Sequence, residues 1–287
     1  MMRSASVGHA VFAATLIALG ILGLLLRGHF APIWRPVPLD FPARAGLAWL
    51  CGMVALGCGI GLLWPRTAAV SARVLLVYLL LWLVAFKVSV IVRAPAVEVS
   101  YESAGETAVL VAGAWVLHAW FAGSRGRELR AGRAAGYSGV RGARLLYALA
   151  LIAFGLSHFA YLELTAALVP GWLPFPVFWA CLTGAAYLVA GAALLIGVHA
   201  RLAAALAAVQ MGVFTLLVWA PVVISGHADV SQWGEFTVSW TLTAAAWVVA
   251  DSYRGTPWSS DRGLQRSIPG NGCDDPPDRH VLRMNET

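Results

Sequence analysis

Residues 178–198 read FWACLTGAAYLVAGAALLIGV, an unbroken run with no charged side chain. Wound as an α-helix at about 1.5 Å per residue, a run of this length matches a hydrocarbon layer roughly 30 Å thick. Lipid offers no partner for a free backbone amide or carbonyl, so such a run spans as a helix rather than as an open strand. Similar runs recur along the chain. The spacing predicts eight spans, at about 10–26, 45–64, 74–92, 107–122, 145–162, 178–198, 202–224 and 236–251. Composition agrees, with 60% hydrophobic residues, 12% charged residues and a mean hydropathy of +0.74. A soluble domain carries about twice that share of charge. The fold class expected is all-α, a polytopic helical membrane protein.

The basic excess does not point to nucleic acid. Lys87 is the only lysine, and most of the arginines sit in short loops between apolar runs, where they act as topology signals. Arg66, Arg73, Arg125, Arg127, Arg130, Arg133, Arg141, Arg144, Arg201, Arg254, Arg262 and Arg266 fall on one side. Arg27, Arg35, Arg44 and Arg93 fall on the other, together with Asp40, Glu98, Glu102, Glu106, Glu163, Asp229 and Glu235. The positive-inside bias then sets both termini in the cytoplasm of a plasma membrane. Arg3 ahead of the first apolar run imitates a secretory signal, but no small-residue cleavage pattern follows, and the run reads as an uncleaved first helix.

The chain also repeats itself. RGHFAPIWRPVPLDF in the first half faces LSHFAYLELTAALVPGWLP in the second, pairing His29 with His158. CGMVALGCGIGLL pairs with TGAAYLVAGAALL through Gly52–Gly184 and Gly59–Gly191, SARVLL with HARLAA through Arg73–Arg201, and Glu106 with Glu235. Four spans per half is an even number, so two like-facing units are expected about an axis along the membrane normal. The division expected is a first four-helix repeat over 1–122, an Arg-rich cytoplasmic linker over 123–144, a second repeat over 145–251 and a disordered cytoplasmic tail over 252–287. Gly57 and Gly61 form a G-x-x-x-G and Ala186 and Ala190 a weaker small-residue pair, spacings that let helices approach closely in lipid.

The second half resembles the DoxX-like group of small membrane proteins. The resemblance rests on Gly155, His158 and Phe159 near the end of one helix, then Pro170, Trp172 and Pro174 in a Val-Pro-x-Trp-Leu-Pro turn. Gly184 and Gly191 in the next helix and Arg201 in the following loop complete it. It implies a four-helix membrane unit, here duplicated. Relatives are linked to quinone-coupled thiosulfate oxidation, thiol redox stress and amine dehydrogenase maturation. A glutamate that many relatives carry three residues after the Thr-Gly glycine is Tyr187 here.

Polar residues inside the spans are the candidates for chemistry. Lys87 lies near the outer edge of the third span, where it either faces the bundle or snorkels outward. His158, with a ring that titrates near neutrality, stands near Tyr161 and Glu163, although five residues is a poor helical spacing for a pair. SAGE at Ser103–Glu106 reads as a capping box, and Glu106 and Glu235 as first-turn carboxylates favoured by the helix dipole. Together Lys87, Glu106, His158 and Glu235 outline a polar vestibule. Cys51 and Cys58 are two turns apart, too far for a disulfide. No C-x-x-C, paired-histidine or Gly-rich nucleotide pattern occurs, so no metal or cofactor is expected, with a quinone left open by the resemblance.

No complete catalytic constellation stands in the sequence. The leading functional expectation is an accessory membrane subunit in quinone- or thiol-linked redox metabolism, alone in the lipid bilayer, as a homo-oligomer or within a membrane redox complex. The alternatives are a small-molecule transporter or binder with its site between the repeats, and a structural assembly factor.

Overall fold

The structure, a computed structural model, describes residues 6–123 and 136–258, all helix and connecting turns with no strand among them. The long helices are α1 (Val7–Leu25), α2 (Arg44–Leu63), α3 (Ala68–Arg93), α4 (Val99–Gly123) and α5 (Gly136–Ala160). After the short α6 (Leu162–Ala167) come α7 (Pro176–Ile196), α8 (Ala200–Ile224) and α9 (Val230–Asp251). Seven of them are long and apolar enough to cross a membrane. The expected eighth, α9, has the length but is less apolar.

Helix ends follow local chemistry. The Ser6 hydroxyl accepts from the His9 amide at α1, and Asp229 and Gln232 form a reciprocal capping box at α9. Gly197, at φ 74, ends α7 in the left-handed conformation that costs glycine least. Several sequence boundaries shift. The fourth helix begins at Val99 rather than near 107, and α5 begins at Gly136, inside the stretch read as linker. The expected tail starts with an ordered strap, because Arg144 bonds the Ser252 hydroxyl at 2.9 Å and stacks on Tyr253, while Arg201 bonds the Thr256 carbonyl at 2.8 Å. Arg125, Arg127, Arg130, Arg133 and everything beyond residue 258, Cys273 included, lie outside the described residues.

Neighbouring helices pair in order: α1 with α2, α2 with α3 and α3 with α4, then α5 with α7, α7 with α8 and α8 with α9. Across the two sets, α1 packs on α9, α5 on α4, and α4 on α9. The last contact is the centre of the core, where the site of a Gly113 side chain would meet the Ala245 methyl at 3.0 Å and where Val109 to Ala112 and Ala244 to Ala246 are fully buried.

Two seams have the same pattern of neighbours. A side chain at Gly20 would strike Leu56, and one at Gly155 would strike Leu188. Gly52 faces the Gly20 carbonyl and Leu24, as Gly184 faces the Gly155 carbonyl and Phe159. Gly59 faces the Ala13 carbonyl and Ile17, as Gly191 faces the Ala148 carbonyl and Ile152. In these seams His158 stands where Gly23 stands, not His29, because His158 abuts Gly184 as Gly23 abuts Gly52. The G-x-x-x-G expectation holds at Gly61, where an added side chain would strike Ser71 of α3, and is corrected at Gly57. A side chain at Gly57 would meet nothing within 4 Å, and the close contact of α1 with α2 runs through Gly52 and Gly59.

Candidate functional site

Lys87 belongs to a π-helical stretch of α3, Leu83–Val88. The wider turn shifts the side chains that follow it, a distortion often found at functional sites. Its effect here is to bury Lys87 to 1% exposure, so the side chain does not snorkel. The ammonium donates to the backbone carbonyl of Arg35 and to the Ser103 hydroxyl, the latter at 2.7 Å.

Both partners are held in place by their own surroundings. The Arg35 guanidinium donates twice to the Phe30 carbonyl, at 3.2 and 3.1 Å, which folds the loop between α1 and α2 back on itself. That loop enters the bundle. Phe30, Ala31, Ile33 and Trp34 are at most 2% exposed, and the Trp34 ring meets Tyr78 and Trp82 edge-on at 5.4 and 5.3 Å. Ser103 sits in the second turn of α4, and its hydroxyl also faces the Arg35 carbonyl at 3.3 Å. It is no helix cap; the capping-box reading of Ser103–Glu106 fails because α4 starts at Val99.

One carboxylate, Glu106, acts electrostatically on the ammonium, and two more, Glu102 and Glu235, act on Glu106, while Glu235 feels Arg35. All three carboxylates are half-buried, while Arg35 is exposed at the rim. Glu235 is also not a first-turn residue, since α9 begins at Val230. Lys87, Glu106 and Glu235 therefore come together where α3, α4, α9 and the α1–α2 loop converge. Among the described residues, no group of three His, Cys, Asp or Glu side chains is arranged to hold a metal.

His158 lies elsewhere. Its ring bonds the Phe154 carbonyl one turn back at 2.7 Å and meets Tyr187 edge-on at 5.5 Å. It contacts its own helix and α7, not the Val-Pro-x-Trp-Leu-Pro turn. Glu163 has moved to α6 beyond a break at Tyr161.

The remaining motif residues shape α5, α7 and their connection. Gly155, Gly184 and Gly191 make the seam. The Pro170 carbonyl accepts the Leu173 amide, the Pro174 carbonyl accepts the Trp179 indole at 3.0 Å, and Trp172 projects with 70% exposure, as a headgroup-level aromatic would. Phe159 covers Gly184, and Arg201 stacks on Trp258 at 3.9 Å. Sequence reading missed the Arg35 carbonyl and the Ser103 role. A backbone acceptor leaves no mark in sequence, and the serine was absorbed by a cap pattern.

Fold and site together define a multi-pass helical membrane protein with a buried lysine held by the Arg35 carbonyl and the Ser103 hydroxyl and balanced by Glu106. Residues 139–220, which take in α6, α7 and most of α5 and α8, match the model of the DoxX family. No curated protein and no solved structure matches the chain.

Proposed function

We propose that the protein is a membrane-embedded binder of a small molecule, held between its two halves at the Lys87 cluster. What supports this is the cost of the site. A lysine amid lipid-spanning helices is unfavourable by at least ~2.5–3.5 kcal/mol, and buried charges that serve packing alone are readily replaced by apolar side chains. Here a π-helical turn, an inserted loop that supplies the Arg35 carbonyl, the Ser103 hydroxyl and the Glu106 carboxylate all serve one ammonium. The same reading takes the chain as a duplicated four-helix unit, supported by the matched glycine seams and the parallel order of helix pairing. Both termini then face the cytoplasm of the plasma membrane, as the arginine bias suggests.

The test is purification of the full chain in mild detergent, followed by solvent extraction and mass spectrometry of co-purified small molecules. The expected result is a molecule present at near-stoichiometric level in the wild type and absent from a folded Lys87→Met/Glu106→Gln variant. Equal content in both, or none in either, overturns the reading.

The DoxX match over residues 139–220 favours a second reading, an accessory subunit of quinone-linked redox metabolism. Extracts containing a quinone whose retention does not depend on Lys87 would select it. Its thiol-linked form is less well supported, since the free Cys51 and Cys58 are buried at 0% and 5% exposure and the half-buried Cys181 stands on a different helix, α7.

A further inference from the structure

Of the groups that serve the Lys87 ammonium, the Arg35 carbonyl alone is carried by a loop, since Ser103 and Glu106 belong to α4. Phe30, Ala31, Ile33 and Trp34 of that loop are buried in the bundle. Pro32 rests on α9, where a side chain at Gly234 would strike its ring at 2.9 Å. The connection between α5 and α7, which joins the matching seam, leaves Leu164, Trp172 and Phe175 exposed. Joining the two helices of such a seam therefore does not require the loop to enter the bundle.

The seated loop is bracketed by left-handed residues, Arg27 at φ 49 and Gly28 at φ 90 before it and Ala43 at φ 53 after it. Arg27 and Ala43 carry a Cβ, which disfavours that conformation, and a few loop positions of this kind are enough to let a segment swing as a body. The seat also has a cost. The Trp34 and Trp82 rings meet there at 5.3 Å, and neither indole N–H has a hydrogen-bond partner among the described residues. A buried donor without an acceptor forfeits the bond that water gives it, a penalty that lifting Trp34 relieves. Against this stand the apolar burial of the loop, the bonds of Arg35 to the Phe30 carbonyl and the bond of Lys87 to the Arg35 carbonyl. Lys87 is thus covered by the loop and helps to hold it down.

We propose that the α1–α2 loop is a lid on the Lys87 cluster, hinged at Arg27 and Gly28 and latched by Lys87 itself, which lifts to admit the bound molecule. This rests on the reading of that cluster as a binding site, but its test uses no bound molecule. Lys87 is the only lysine, so sulfosuccinimidyl acetate applied to the full chain in detergent has a single lysine target, followed by peptide mass spectrometry. Lys87 should be acetylated slowly in the wild type. Gly234→Ala drives a methyl into Pro32, and Arg35→Met keeps the carbonyl but loses both bonds to Phe30. Each should raise the rate about tenfold, which is about 1.4 kcal/mol in the lifting equilibrium. Gly113→Ala is the control, because it crowds Ala245 at 3.0 Å in the centre of the core. It should lower the melting midpoint without that rise. Rates unchanged in both loop variants, or a rise in Gly113→Ala equal to theirs, overturns the proposal. A lifting loop in a chain from which no molecule co-purifies defeats the binder reading alone, and a fixed loop beside a co-purified molecule defeats the lid alone.

Discussion

The Lys87 ammonium and the Ser103 hydroxyl meet at 2.7 Å across the interface of α3 and α4. The contact joins a lysine turned inward by a π-helical stretch to a serine in the second turn of its neighbour. It also fixes the charge balance. With its hydrogen bonds going to neutral oxygens, the ammonium relies on Glu106 for a counter-charge.

Lys87→Met removes the cation and leaves Glu106 facing its carboxylate neighbours Glu102 and Glu235. Breaking one partner of a buried pair costs about 3–5 kcal/mol, while replacing both is near neutral. The single variant should therefore unfold well below the wild type, and Lys87→Met/Glu106→Gln should recover most of the loss. A thermal melt in detergent reads both. A single variant as stable as the wild type would mean the pair is not coupled.

Gly59 and Gly57 are two residues apart on α2 with opposite surroundings. A methyl at Gly59 would sit 2.8 Å from the Ala13 carbonyl, whereas one at Gly57 meets nothing within 4 Å. Gly59→Ala should cost about 1–3 kcal/mol by forcing α1 and α2 apart. Gly57→Ala should be neutral or gain up to about 1 kcal/mol of helix propensity. Gly191→Ala, 2.9 Å from the Ala148 carbonyl, should behave like Gly59→Ala.

These contrasts show what could be read from the sequence and what could not. Apolar run length gave the helices, and the pairings Gly52–Gly184 and Gly59–Gly191 are equivalent positions in the two seams. Spacing alone could not separate Gly57 from Gly59, because which face of α2 meets α1 is decided by tertiary packing. His29 and His158 match as letters but not in space, since the loop carrying His29 follows the end of α1 while His158 is still within α5. Lys87, Glu106 and Glu235 were legible as rare charges in apolar sequence. The inward turn of Lys87 was not, because nothing in LVAFKV marks a π-helical register.

Glu98 lies just before α4, and neither carboxylate oxygen has a hydrogen-bond partner. Burial pushes its carboxyl above the ordinary carboxylate range. A carboxyl raised by folding holds its proton more tightly in the folded state, so its favourable contribution is complete below about pH 4 and lost as pH rises through the folded value. Glu98→Gln should thus unfold at a higher temperature than the wild type near neutral pH, and the gap should close as pH falls toward about 4. A constant gap across that range would place its cause outside this ionisation.

The helix α9 is less apolar than the other long helices, yet its packing suits a crossing. It is covered by α1, α4 and α8, and the Thr237 and Thr241 hydroxyls turn back to carbonyls of their own helix at 2.8 and 2.7 Å. Polar side chains satisfied in this way ask nothing of lipid, and a helix surrounded by protein need not be as apolar as one facing acyl chains. Single cysteines at His227 and Thr256, introduced after replacing Cys51, Cys58, Cys181 and Cys273, flank α9 on its two ends. An impermeant thiol reagent added to intact cells should label His227→Cys alone, and Thr256→Cys only once the membrane is opened. Labelling of both from the same side would mean that α9 does not cross, and the two-unit arrangement would fail with it.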